Sequence, residues 1–273
     1  NAGQAGGAVT IDITGGAGVI TFVSGADITT SGIAAGGGDT NGGAAGLVTL
    51  NTNNAAITLN DTTITAVGGA LAGSGAQGVG GAVTLSDAVT LATGTVTITT
   101  GASAGLITFS STVNGARALA LTAGTGNITF GGVVGGTTPL LLSTIASAGT
   151  VTALAFSSAG LDWAATTEIQ TDGLVTSTAS VDLTAALIDV NTGITAAGQL
   201  VDLNAGANGL TVNGGAITTT GAAEANGGVI DIDSSGGAVI ISSNLVASGG
   251  AETGGNAGQA GGAVTIDITG GAG

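Results

Sequence analysis

The chain has 273 residues with 55 Gly, 1 Pro, 16 acidic residues, 1 basic residue and no His, Cys, Met or Tyr, for a formal net charge of -15. Without His or Cys, and with Arg117 as its sole basic residue, it lacks the usual proton shuttles, thiol nucleophiles and soft metal ligands, which argues against an enzyme. It also has nothing to neutralise phosphates, which argues against nucleic acid and anionic membrane surfaces as partners.

Residues 1–18 read NAGQAGGAVTIDITGGAG, and residues 256–273 repeat them letter for letter. Identity over 18 positions makes residues 1–255 one full repeat period and residues 256–273 the start of the next identical one. The chain is thus expected to be a slice of a tandem array.

Within the period, short strands alternate with Gly, Asn and Ser. Val9, Ile11 and Ile13 alternate with Thr10, Asp12 and Thr14, sending aliphatics to one face and polar groups to the other. Strands are predicted next at 19–24 and 26–32, then at 47–51, 56–60, 83–86, 96–100, 106–110, 128–131, 200–204 and 229–233. No segment carries a capped 3.6-residue stripe, so the chain reads as all-β. Apolar content of 43% against 6% charged residues sets it apart from disordered Gly-rich sequence. No apolar run approaches the roughly 20 residues of a spanning helix. Four Phe, one Trp and no Tyr are too few for the aromatic girdles of an outer-membrane barrel.

Aligning the Gly-Gly-Ala-Val-Thr phrases makes Val9, Val48 and Val83 equivalent, at separations of 39 and 35, and pairs Val229 with Val264 at 35. Each interval holds three strands, the pattern of a triangular parallel β-helix, or β-solenoid. About ten or eleven coils per period, at about 4.8 Å each, give a length of roughly 50 Å. Slim aliphatics suit a narrow stacked core. Gly pairs such as Gly15-Gly16 and Gly135-Gly136 suit corners that need positive φ. Gly-rich excursions at 31–46, 68–81 and 247–262 are expected to recur on one corner, as a rib along the rod or a lateral contact.

Residues 139–174 depart from the pattern and carry the single Pro and the single Trp. Trp163, with Asp162 and Glu168, offers a surface contact patch for a sugar or partner; alternatively Trp163 fills a gap in the core. The clustering of acids with Lys or Arg that β-helix polysaccharide lyases use is missing. Asp182, Asp189, Asp202, Asp231, Asp233 and Asp267 each lie between aliphatics and should point outward, some stacked above one another. Stacked carboxylates repel, and calcium would relieve them. Asp39 in GGGDTNGG, with Asp231, Asp233 and Asp267, are the calcium candidates; the alternative is plain solvation. No other cofactor is expected. Thr phrases at 63–65 and 96–100 suggest an ice-binding array only weakly, because Thr is favoured in strands anyway.

The phrases GGAVTIDITGGAG (6–18), ALALTAGTGNITFGGVVGG (118–136) and the recurrent AGGAVT resemble the filamentous-haemagglutinin type of very large repetitive bacterial surface proteins. The resemblance implies a right-handed parallel β-helix, export through an outer-membrane transporter, and adhesion, cell–cell contact or biofilm fibres. No signal peptide or secretion domain is recognised in the segment, so export rests on the resemblance alone. The expected function is a structural, fibre-forming, protease-resistant extracellular filament at the bacterial cell surface. Its expected partners are itself, end to end and laterally, and a host or neighbouring cell surface. The alternatives are the stalk of an adhesin whose receptor-binding tip lies elsewhere, and a surface-layer or sheath component.

Overall fold

The computed structural model describes residues 1–16, 18–254 and 258–269. Among them the regular structure is entirely β, with no helix. The strands form three parallel ladders, which the chain visits in fixed order. The first ladder runs Val9–Asp12, Val48–Asn51, Val83–Leu85, Ile107–Phe109, Ile128–Phe130, Thr150–Ala153 and Glu168–Thr171. It continues through the second halves of Val181–Val190 and Val201–Val212 to Val239–Ile241. The second runs Ile20–Phe22, Ile57–Asn60, Val89–Thr93, Val113–Asn114, the bridge residue Val134, Phe156–Ser158, Val175–Ser177, Ile194–Ala196, Ile217–Thr218 and Leu245–Val246. The third runs Ile28–Thr29, Thr63–Thr65, Val96–Thr99, Ala118–Thr122, Leu142–Ser147 and Leu161–Ala164. The first halves of the two long strands follow, and the ladder ends on Ile230–Ser234 and Val264–Ile268. Each ladder holds ten strand positions, so the chain makes ten three-strand circuits. The one antiparallel bridge among the described residues joins Thr40 and Ala72.

Parallel pairing in strict register turns the period-2 alternation into columns, because identical parity stacks on identical parity. Val48, Val83, Ile107, Ile128, Val151, Ile169, Ile188 and Leu210 stack on the first ladder, and all are buried. Ile57, Val89, Val113, Val134, Phe156, Val175, Ile194 and Ile217 do the same on the second. Most outward positions carry Thr, Asn, Asp or Ser, with exceptions such as Ile240. Two separations predicted by the phrase alignment are found, since Val9 pairs with Val48 and Val48 with Val83. The third is corrected: Val264 pairs with Ile230, not Val229. Val229 precedes the strand and is solvent-exposed, and the phrase GGVIDID lacks the Ala found in GGAVT, which shifts its register by one.

The rings gather in the middle of the core. Phe109 and Phe130 stack with centroids 5.3 Å apart at 8°, Phe130 and Trp163 stack at 6.0 Å, and Phe156 meets Trp163 edge to face at 4.8 Å. Ala153 follows Phe130 in its column, while Phe156 and Trp163 of the same circuit enter from the other two ladders. The Trp163 indole N–H donates to the buried Ser143 hydroxyl at 3.0 Å, which accounts for a Ser in an otherwise aliphatic column.

The Gly-rich excursions pack backbone on backbone. The amides of Gly3, Gly6 and Val9 donate to the carbonyls of Asn41, Ala44 and Leu47, and those of Gly42, Ala45 and Val48 to Ala76, Val79 and Ala82. A bond at every third residue is the spacing of threefold, polyproline-like extended arms. The remaining amides reach sideways: Gly43 donates to Ile33, and Gly69 donates to Gly43. A Cβ on Gly42 would strike the Gly69 carbonyl, and one on Gly43 the Gln4 carbonyl, so the arms require Gly there.

The expected common corner is corrected. The excursions over 31–46 and 68–81 join the third ladder to the first, whereas the described part of 247–262 joins the second to the third, as does 220–228. Val181–Val190 and Val201–Val212 turn their corners without a break, adding strand positions that no Gly pair marks in the sequence.

Candidate functional surface

The outward face of the third ladder carries the most distinctive chemistry. Asp162 pairs with Asp182, Asp182 with Asp202, and Asp202 with Asp231, placing four carboxylates on successive circuits of one column. The column ends at Thr265. A parallel column on the same face carries Thr184, Asn204, Asp233 and Asp267. Stacking follows from register: Asp162, Asp182, Asp202 and Asp231 each lie between two inward aliphatic or aromatic residues.

Neighbours of like charge change the chemistry of the column. Burial, then the nearby Asp162 charge, raises the Asp182 carboxyl above its ordinary value. Burial is again the largest cause at Asp202, followed by the charges of Asp182, Asp231 and Asp233, with an opposing hydrogen bond from Asn204. Asn204 donates to Asp202 at 2.9 Å, and no basic side chain stands in either column. Arg117 spends its guanidinium on the carbonyls of Ala92 and Ala116, at 3.0 and 3.2 Å.

A group whose folded pKa is raised contributes stability below its ordinary value of 3.8 and loses it as pH rises through the raised value. The Asp182→Asn/Asp202→Asn double variant is therefore expected to unfold at higher urea than the parent at pH 7, with the gain shrinking toward zero below pH 3.8. Urea titrations across pH check this. A gain that persists unchanged in acid would contradict the upward shift of these two carboxyls.

Asp39 and Asp87 titrate in the opposite sense. The Ser74 N–H, which donates to Asp39 at 2.9 Å, and the Ser74 hydroxyl lower Asp39. Asp87 is lowered chiefly by the Thr52 N–H, 2.6 Å away, against the effect of burial, with help from the Asn54 N–H and the Thr52 hydroxyl. It holds a turn in which Asn53 and Asn54 both have positive φ, at 55° and 72°. Stability from these two carboxylates is present above their ordinary value and lost as pH falls through the lowered one. Nothing in the local pattern marks Asp87, because its partners lie one circuit away.

Of the calcium candidates, Asp233 and Asp267 pair directly and Asp231 is two residues from Asp233, while Asp39 sits on a distant excursion. Among the described residues no group of three or more His, Cys, Asp or Glu side chains converges into a ligand set. The contact-patch residues are divided. Trp163 is 1% exposed and inside the core, Asp162 is exposed, and Glu168 is half-buried on the first ladder. A stacking platform at the surface therefore loses its aromatic member, since Trp163 shares inward parity with Leu161.

Among the described residues no helix is long and apolar enough to cross a membrane. No protein-family model, curated protein or solved structure matches the chain.

Proposed function

We propose that the chain is a structural, fibre-forming β-solenoid, a right-handed parallel β-helix that serves outside the cell as a stiff filament for adhesion, cell–cell contact or matrix. One observation carries the reading. The second copy of the repeat, Val264–Ile268, stacks in register on Ile230–Ser234, so the next period opens as a continuation of a ladder. Ile230 and Ile232 beneath it are fully buried, while the same-parity residues Val264, Ile266 and Ile268 are 45–51% exposed, an apolar edge that a following circuit would cover. A closed barrel would pair its first and last strands, but Val9–Asp12 pairs only with Val48–Asn51 among the described strands.

The acidic columns, a single trypsin-cleavable residue and cores made only of short-range stacking suit a rod exposed to proteases. Haemagglutinin-like phrasing supports the bacterial surface as its location. Chains of one, two and three periods test the reading. Rods imaged by electron microscopy are expected to lengthen by roughly 50 Å per added period, about ten circuits at about 4.8 Å. Particles that grow in width instead of length would overturn it.

A further inference from the structure

The two copies of the repeat do not occupy equivalent places in the fold. Val9–Asp12 opens the first ladder, whereas its copy, Val264–Ile268, closes the third. Ten circuits of three give thirty strand positions, and the copies hold the first and the last. One period of 255 residues therefore advances twenty-nine positions: nine full circuits and two further strands.

The excursions record the same shift. Gly7, Gly46 and Gly81 stand two residues before Val9, Val48 and Val83, and form a stacked column: a Cβ on Gly46 would strike the Gly7 carbonyl, and one on Gly81 the Gly46 carbonyl. Gly262, the copy of Gly7, stacks in the same way on Gly228, but at the corner between the second and third ladders. A Thr–Gly clamp closes one excursion at each of the two corners. Thr30 and Gly46 exchange two hydrogen bonds after a third-ladder strand, with the hydroxyl donating to the Gly46 carbonyl and the Gly46 amide to the Thr30 carbonyl. Thr219 and Gly228 make the identical exchange after a second-ladder strand.

We infer that successive periods are rotated by one third of the circumference, so that the array is a three-start display. This rests on the tandem reading above. Each face of the rod receives the same slim aliphatic columns, so the core accepts a copy on any ladder. Outward features are not so averaged. The Asp162–Asp182–Asp202–Asp231 column and the Gly-rich rib each step to a new side at every period, and every side is served once in three. Three periods, three times 255 or 765 residues, restore the orientation after twenty-nine circuits, an axial repeat of about 140 Å. The acidic column is thereby presented in all directions around the rod.

The chain contains no Cys, so paired cysteines report the geometry directly. A short bifunctional thiol crosslinker is expected to join Asp231→Cys to Thr265→Cys, neighbours on the third ladder. It is expected to leave Ile240→Cys with Thr265→Cys unlinked, since Ile240 belongs to the first ladder, where an unrotated copy would land. Asp202→Cys with Asp231→Cys serves as the positive control. Linkage of 240 to 265 and not of 231 to 265 would overturn the rotation while keeping the stacked copy. Linkage of neither, with the control intact, would overturn the stacked copy and the rotation together.

Discussion

The Phe130→Ala variant is expected to lose about 3–5 kcal/mol of stability, the usual cost of removing a buried aromatic ring. Phe130 touches all three other rings of the core: it stacks on Phe109 and Trp163 and meets Phe156 edge to face at 5.3 Å. Truncation empties the point where circuits from all three ladders meet, and the neighbouring Ala153 cannot fill it. Because neighbouring circuits are joined by ladder pairing and by stacked side chains, the loss is expected to spread along the ladders as well as across them. Trp163 is the single Trp in a chain without Tyr, so its emission reads the site directly. A shift toward longer wavelength with an earlier urea transition is expected. An unchanged emission maximum and transition would mean that the rings do not form one cluster.

Substitution of Gly42 by Val is expected to unseat the excursions over 31–46 and 68–81. Its Cβ would strike the carbonyl of Gly69, which is backbone and cannot swing aside, and the Gly42 amide bonds Ala76 at 2.9 Å. Overpacking of this kind costs about 1–3 kcal/mol where neighbours can yield and more where they cannot. Gly15→Ala is the matched control, because nothing lies within 4 Å of the Cβ it would add. Limited proteolysis with an elastase-type enzyme is expected to cut the Gly42 variant within the excursions and to spare the control. Equal resistance of both would show that the arms are not packed backbone to backbone.

Much of this arrangement is legible in the sequence, and the reasons are local. Alternation of Val9, Ile11 and Ile13 with Thr and Asp marks a two-faced strand, and three such strands between successive Gly-Gly phrases mark one circuit. The outward Asp column is legible for the same reason, since Asp182, Asp202 and Asp231 each sit between aliphatics. The burial of Trp163 was also available, in the alternation Leu161, Asp162, Trp163, Ala164. Corner identity was not. It depends on counting every strand between two corners, and the bends near Ala186 and within Asn204–Gly209 turn without Gly pairs. The grip of Asp87 on the Thr52–Asn54 turn was hidden for a different reason, because the two are 35 residues apart and meet only once circuits stack.

Electron cryo-microscopy of a chain carrying several periods tests the central claim most directly, through its axial spacing. Stacked circuits predict a strong meridional reflection at about 4.8 Å, from rods whose length grows with the number of periods. Compact particles of fixed diameter, with no axial reflection, would contradict it.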